Sequence, residues 1–576
     1  MGLPIRRRSL AAAFDANLHP VIERVYRGRD ISATEQLTTN AQALLHYRDL
    51  LGCEEAAEHI ANAIVHRKPI TIIGDFDADG ATSTALCLLA LAQMGATAVE
   101  YLVPNRFDFG YGLSPEIVEL AGQRGTPLII TVDNGISCHA GVERAKALGM
   151  DVIITDHHLP GETLPVAAAI VNPNQPGCRF ASKNLAGVGV AFYLMLALRA
   201  TLQQRGWFDE RGTPAPNLAN LLDIVAVGTV ADVVPLDQNN RILVHQGLQR
   251  IRAGRCRPGI TALLDVAKRH PQRISATDLG FVVGPRLNAA GRLDDMAAGI
   301  ECLVCSDPME ARARATELDR LNQQRRTIEQ EMKQQAQEVL AGIRLDESAP
   351  PEAIVLYDES FHQGVIGIVA GRLKDEYKRP TIVFARQDDT TIKGSARSIA
   401  GVHIRDILEA VSTATPGLID KFGGHAAAAG LSLPLANLSA FTQAFTAHVS
   451  KALEQADDPN VILSDGPLDA DVLNLPLAQT LRQAGPFGQG FHPPLFDGDF
   501  RLIDQRIVGD CHLKMVLAHP DSGEEFDAIA FNVDTEVWPD ASIKHVQLAY
   551  QLDVNYYRGR ESLQLLVEAL APYDGR

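Results

Sequence analysis

From Lys68 to about Pro173, short apolar runs alternate with longer stretches of helical periodicity. PITIIGD, PLIITVDNG, DVIITDHH and AAAIVNPN each read as a buried strand ending in polar residues. Between them, ATSTALCLLALAQMG and HAGVERAKALGM read as helices. Strands alternating with helices predict an α/β domain built on a parallel, doubly wound sheet. Ligands of such sheets gather outside the carboxyl ends of the strands. The acids fall there: Asp75, Asp77 and Asp79 after the first run, Asp133 after the second, and Asp156, His157 and His158 after the third.

Residues 1–50 carry helical signals and no candidate chemistry, and 51–305 form the expected first domain. Asp307, Pro308 and Glu310 then supply a cap, a proline for the first turn and a glutamate at the third position of a helix. Neither glycine nor further proline follows until Gly342 and Pro350, while Leu318, Leu321, Ile328, Met332, Ala336 and Val339 recur at spacings of three, four or seven. One long connecting helix over 306–343, about 50 Å at 1.5 Å per residue, is predicted. Six apolar positions make a thin seam for a coiled-coil dimer arm, so a strut joining two lobes is expected. Residues 350–450 alternate again (AIVLYDES, HQGVIGIVAGRL, PTIVFAR, TIKGSARS) and predict a second α/β lobe, with the active cleft between the two. From 461 to 570 the runs FRLIDQRIVGD, LKMVLAHP, EEFDAIAFNV, HVQLAYQLDVNYYRG and ESLQLLVEAL shorten and alternate, which predicts a small barrel.

A length of 576 residues is too great for one core and implies about three or four domains. The basic N-terminus MGLPIRRRSLAAAFDAN lacks the apolar segment of a signal peptide. No run approaches the ~18–20 apolar residues of a membrane span. The eight cysteines are scattered, and the close pair Cys302 and Cys305 has no second pair to complete a zinc site. They read as reduced thiols of a cytoplasmic protein. A net charge of −17 argues against a generally basic nucleic-acid coat and leaves room for a local basic groove.

In IIGDFDADGATST the three aspartates repel one another unless a cation sits among them. An EF-hand loop would need a bidentate Glu at its twelfth position, where Leu86 stands. A phosphate-binding P-loop would need GK[ST], which is missing. Carboxylates joined by imidazoles and no thiolate suit Mn²⁺ or Mg²⁺. Several acids at one site point to two ions about 3.5–4 Å apart, able to activate water and clamp a phosphoryl group.

GDFDADGATS, VPNRFDFGYGLS, TVDNGIS, TDHHLP, GTVADVVPL, GPRLNAAGRL, HQGVIGIVAGR, GSARS and FGGHAAAAG follow one another in this order. The series resembles the DHH phosphoesterases, named for the triplet that stands here as Asp156-His157-His158. It is most similar to their bacterial single-strand-specific 5′-to-3′ DNA exonucleases, from about residue 45 to the end. The resemblance implies two divalent ions, Mn²⁺ or Mg²⁺, held by Asp77, Asp79, Asp133, His157 and Asp232. Asp75 stands either among these ligands or behind them. Asp156 would brace a histidine through its ring N–H, and His158 would orient the site or meet the scissile phosphate. Asp232 closes the apolar run DIVAVGTVADVVPL, and without the resemblance it is equally a plain helix or loop carboxylate. The resemblance also implies a DHH-associated second lobe, a C-terminal OB-fold that binds single strands, and a monomer working in DNA repair and recombination. A helicase and a single-strand-binding protein are its implied partners. The product would be 5′-mononucleotides, released singly.

The strand needs holding. Asn105 and Arg106 can meet phosphate, while Phe107, Phe109 and Tyr111 offer stacking faces, Tyr111 as a wall near the centre. Arg241, Arg250, Arg252, Arg255 and Arg257 form a run without an acid, expected to be part of a phosphate-tracking groove. Arg286, Asn288 and Arg292 are strand-binding residues by resemblance. Gly394 to Ser398 offers backbone N–H groups, two hydroxyls and the Arg397 guanidinium, a phosphate cradle in which Ser395 and Arg397 would select the 5′ end. His425 after Gly423-Gly424 is a ligand by resemblance. Two other functions fit the metal motifs: a phosphodiesterase or pyrophosphatase on small nucleotides, and a non-catalytic strand-binding scaffold. The first has no use for the long helix, basic run and barrel. The second would be expected to lose metal acids, and every matched position is filled.

Overall fold

The computed structural model describes residues 3–14, 17–104, 112–342, 351–454, 460–557 and 559–573, without the side chains of 339–342 and 557. They form two compact units, Met1–Asp319 with Ile462–Arg576, and Arg320–Val461.

In the first unit, β1 (Ile70–Ile73), β2 (Val99–Leu102), β3 (Leu128–Val132), β4 (Asp151–Thr155) and β5 (Ala169–Val171) form one parallel sheet in the order β2-β1-β3-β4-β5. All residues of β1 and β3 are buried, as both faces of a parallel sheet require. The apolar-run pattern did not show β2: its VEYL is half-exposed at the sheet edge, with Glu100 in solvent. The chain steps from β1 to β2 on one side and returns to β3 on the other. That reversal opens a crevice at the carboxyl ends of β1 and β3. Helix α1 (Ala78–Gln93) starts in this crevice, and α2 (Gly187–Gln204) and α3 (Leu222–Ala231) pack against it. Further along come α4 (Gly284–Leu293) and the long α5 (Pro308–Gly342), whose Glu310 amide is capped by Asp307 Oδ1 at 2.8 Å.

The described part of the apolar stripe of α5, from Leu318 to Ala336, is consumed within the chain. Leu318 and Leu321 are buried, and Ile328, Met332 and Ala336 join the core of Ile354, Leu356, Val365 and Val369 in the second unit. No seam of that stripe is left for a partner helix among the described residues. The second unit contains β6 (Ile354–Tyr357), β7 (Thr381–Arg386), β8 (Thr391–Arg397), β9 (Lys421–Gly424) and β10 (Ala428–Pro434), ordered β9-β10-β8-β7-β6 with only β6 and β7 parallel. Helix α6 (Ile366–Tyr377) connects those two.

The C-terminal strands β11 (Phe496–Val508), β12 (His512–Ala518), β13 (Glu525–Ala530), β14 (His545–Tyr557) and β15 (Arg560–Pro572) close into a barrel in the order β11-β12-β13-β15-β14. Within the N-terminal 50 residues, the helix Pro20–Arg27 and the short helical turns Thr34–Leu37, Ala41–Ala43 and Tyr47–Asp49 match the expected helical signals, and the segment is also tied to the chain leading into the barrel. Ile5–Arg7 pairs in parallel with Ile462–Ser464. Arg29 is buried against Asp465 at 2.8 and 3.0 Å and donates to the carbonyls of His492 and Pro493.

Candidate metal centre

The loop after β1 turns directly into α1. Asp77 caps that helix, its Oδ1 accepting from the amides of Asp79 and Gly80 at 2.9 and 3.0 Å. The amide of Ala78 donates to Asn288 Oδ1 of α4 at 2.8 Å. Asp79 is buried, with Oδ2 accepting from Gly187 N at 2.6 Å and Oδ1 from Val188 N at 2.9 Å, the first two amides of α2. Gly187 is needed for that approach, because a Cβ there would lie 2.6 Å from the Asp133 Cβ. Asp133 itself sits at φ +63°, a left-handed turn straight off β3.

These loops bring the acids together. His157 Nε2 lies 3.1 Å from Asp133 Oδ1, 3.5 Å from Asp232 Oδ2 and 3.9 Å from Asp79 Oδ2. Three overlapping sets have their ligand atoms within 4.8 Å of one another: Asp133, His157 and His158; Asp79, His157 and Asp232; Asp75, Asp77 and Asp133. Asp133 and His157 each belong to two sets. Asp232 enters from the C-terminal end of α3. Asp156 stands behind the cluster. Its Oδ1 accepts from the amides of His157 and His158 and lies 2.7 Å from His158 Nδ1, and its Oδ2 accepts from Ile136 N at 2.9 Å. The histidine it braces is therefore His158.

Neutral amides set the loops in place, and sequence reasoning missed them. Asn134 Nδ2 donates to Ile73 O and Val132 O, tying the ends of β1 and β3 together. Asn172 and Asn174 Nδ2 hold the carbonyls of His158 and His157. The available signal was an asparagine just past an apolar strand, in TVDNG and VNPN, since a buried amide must find partners.

Burial and then the charge of Asp77 raise the Asp79 carboxyl to about 7, against the lowering effect of the two α2 amides. Burial, followed by the charges of Asp79, Asp77, Asp232 and Asp75, pushes Asp133 well above the carboxylate range. Asp232 is raised by burial and then by Asp79, Asp77 and Asp75. For His158, burial opposes the cationic ring, but the bond to Asp156 and the charges of Asp156, Asp75 and Asp77 outweigh it and raise the ring to about 9. Carboxylates and imidazole with no thiolate fit hard divalent ions of the Mn²⁺ or Mg²⁺ kind.

The residues expected to hold the strand fare differently. Asn105, Arg106 and Tyr111, with Phe107 and Phe109, lie outside the described residues. Arg286 is buried, bonded to Asp319 and to Val282 O, so its guanidinium serves the packing of α4 on α5 and not an open strand. Asn288 holds the acidic loop, and Arg292 is half-buried in the last turn of α4. The arginine run does not form an open track. Arg241 holds Leu236 O and Gln36 O, Arg252 holds Ile274 O, and Arg257 holds Leu303 O and Val304 O. Arg250 donates to Arg255 O, which leaves Arg255 as the exposed member. Gly394 to Arg397 lies in β8, a central strand, so its backbone N–H groups are engaged in the sheet with β7 and β10 and cannot cradle phosphate. Ser398 is buried, and His425 is exposed at the turn between β9 and β10.

A doubly wound sheet with carboxylates and imidazoles at its switch point is thus followed along the chain by a mixed sheet and a five-stranded barrel. Residues 69–229 match the DHH family, N-terminal domain; 351–451 match the DHHA1 domain; 464–569 match the RecJ OB domain. The chain is 53% identical over 572 residues to the single-stranded-DNA-specific exonuclease RecJ of Escherichia coli K12, covering 99% of each chain. The crystal structure of RecJ from Thermus thermophilus in complex with Mn²⁺ superposes with a TM-score of 0.79 at 30% identity, over 99% of this chain and 80% of that one. The Mg²⁺ complex gives 0.74 at 28% identity, over 99% and 79%. The chain belongs to the RecJ family of single-stranded-DNA-specific exonucleases.

The raised carboxyls give the centre a pH signature. An unfolded Asp titrates near 3.9, so the metal-free folded chain retains protons that the unfolded chain has released. Its stability therefore falls as pH rises from about 4 through the raised values, about 7 for Asp79. Divalent ions compete with the same protons. In scanning fluorimetry the chelated protein should lose thermal midpoint between about pH 5 and 8, and the gain on adding Mn²⁺ should grow over that range. A Mn²⁺ gain independent of pH would contradict the assignment.

Proposed function

We propose that the chain hydrolyses single-stranded DNA from its 5′ end, releasing 5′-mononucleotides, at a centre for two Mn²⁺ or Mg²⁺ ions. The observation that carries this reading is the convergence of Asp77, Asp79, Asp133, His157 and Asp232, with Asp75 beside them, in a chain that also holds the DHHA1 and RecJ OB domains. When bound, the ions supply Lewis acidity that activates water and offsets charge on the phosphoryl oxygens. Asp133, common to two ligand sets, would bridge the ion positions. The two α2 amides hold Asp79 in one orientation. Asp156, held against Nδ1, fixes the His158 ring so that Nε2 can meet the scissile phosphate. A small-nucleotide substrate would leave the barrel without a role. On this reading the partners are a helicase and a single-strand-binding protein, and the chain works as a cytoplasmic monomer. Among the described residues no helix is long and apolar enough to cross a membrane.

End selection falls to the second unit. Ser395 and Arg397 alternate on β8, with Arg397 Nη1 donating to Ser395 Oγ at 3.0 Å. A Cβ at Gly367 would come within 2.8 Å of Ser395 Oγ and 2.9 Å of Arg397 Nη2, so glycine admits both to the first turn of α6. A helix N-terminus, a guanidinium and a hydroxyl suit a terminal phosphate, which carries more charge than an internal one.

With Asp133→Ala, Mn²⁺-dependent release of nucleotides from a labelled single strand should fall by several orders of magnitude while strand binding persists. Substantial remaining activity would refute the centre. With Arg397→Ala, the ratio of initial rates on 5′-phosphorylated and 5′-hydroxyl single strands should fall toward one, with the Mn²⁺ thermal gain unchanged. An unchanged ratio would move the anchor elsewhere, with Arg292 next.

A further inference from the structure

The barrel carries an apolar patch at the end of β13 that shares no residue with the metal centre. Between β13 and β14, residues 531–544 form neither helix nor strand. They are nonetheless tied down. Val533 N donates to Cys511 O at 2.9 Å, Trp538 N to Asp534 O at 2.9 Å, and Asp540 N to Gln505 Oε1 at 3.2 Å. Leu502 N donates to Lys544 O at 2.8 Å where the segment rejoins the barrel.

Held this way, the segment turns apolar side chains outward. Phe531 is 53% exposed and Val537 52%. Both line a notch of about 240 Å³, together with buried Trp538 and Val567 and half-buried Val533 and Leu570. The Phe531 ring is itself fixed, edge-on to His512 with the centroids 4.9 Å apart. Large apolar side chains left in water on an ordered segment forgo the gain of burial. Clustered inside a polar rim, they mark an interaction surface.

The rim selects the partner. Asp534 and Glu568 line the notch, and exposed Asp510 and Glu536 stand in the segments that frame it. From Asp510 to His545 eight acids stand against two lysines. Of these lysines, Lys514 is paired with Asp527 at 3.7 Å and Lys544 Nζ donates to Ala541 O at 2.8 Å. Nucleic acid meets repulsion here. A second copy of a chain of net charge −17 would bring acid to acid. The chain's own basic stretch, Arg6 to Arg8, is taken up beside Ile462–Ser464. A basic polypeptide with an apolar anchor is what complements the patch in both respects. We infer that this end of the barrel docks a basic segment of a partner protein. One apolar side chain of that segment sits in the notch among Phe531, Val537 and Trp538, and its lysines or arginines lie on Asp534, Glu536 and Glu568. The surface serves recruitment and is independent of the polarity and product of the reaction.

The test is a short random-peptide library displayed on phage and panned on the full chain, with counter-selection on Phe531→Ser/Val537→Ser. Peptides that distinguish the two proteins should share an aromatic or aliphatic residue flanked by lysine or arginine. Made synthetically and labelled, the enriched peptide should bind the wild type in fluorescence anisotropy, with an affinity that falls as salt rises. Phe531→Ser/Val537→Ser and Asp534→Lys/Glu536→Lys should each weaken it at least about tenfold. These side chains are exposed, so thermal midpoints should match the wild type. Release of nucleotides from a labelled single strand should match it too. Enriched peptides that are acidic or uncharged, or that bind the variants as tightly as the wild type, would overturn the assignment, and so would a library that yields none. A dimer in sedimentation that Phe531→Ser/Val537→Ser abolishes would overturn it in favour of a second copy. Single-strand affinity lost with the same change would overturn it in favour of nucleic acid.

Discussion

The first unit is organised around the mutual repulsion of carboxylates at the crevice between β1 and β3. Asp75, Asp79 and Asp133 are buried there, with Asp77 and Asp232 beside them. Removing each charge from water costs several kcal/mol even after relaxation. Two helix N-termini oppose that cost, α1 through Asp77 and α2 through Asp79. A helix terminus contributes about 0.3–1 kcal/mol, or ~2 in a favourable buried geometry. Two such terms are too small for this many acids. Protons or cations must supply the rest, and on the proposed reading divalent ions would displace the protons near neutral pH. The buried acids, costly as they stand, would then give the centre its affinity.

The surrounding loops are held by groups that leave this charge intact. Asn134, Asn172, Asn174 and Asn288 donate or accept at backbone atoms of the acidic and histidine loops. A lysine or arginine in any of those places would satisfy the acids and displace the ion. Arginines of α4 and of the run 241–257 are directed elsewhere: Arg286 to Asp319, Arg252 and Arg257 to main-chain carbonyls.

Much of this was legible along the chain, for physical reasons. The strands β1, β3, β4 and β5 are covered on both sides and appear as apolar runs, and the acids at their ends follow from where such sheets bind ligands. The cap at Asp307 and the spacing of Leu318 to Ala336 marked α5. What failed depended on contacts between distant segments. Strand β2 lies half-exposed at an edge, so no run betrays it. Asp232 reaches the centre only because α3 packs beside α1, and its resemblance, not its neighbours in sequence, singled it out. Arg241, Arg252 and Arg257 looked available because a sequence does not show which carbonyls remain to be capped. In GSARS the glycine and serines suggested a cradle, whereas the alternation from Thr391 to Arg397 has the period of a strand, and the ladder takes the amides.

The account stands on cations resolving the carboxylate repulsion at two adjacent positions. Electron paramagnetic resonance of the chelator-stripped protein, titrated with Mn²⁺ to saturation, tests this directly. Two ions sharing the Asp133 carboxylate would lie about 3.5–4 Å apart and give a spin-coupled spectrum at two Mn²⁺ per chain. Saturation at one Mn²⁺ per chain with the spectrum of an isolated ion, or no tight binding at all, would contradict it.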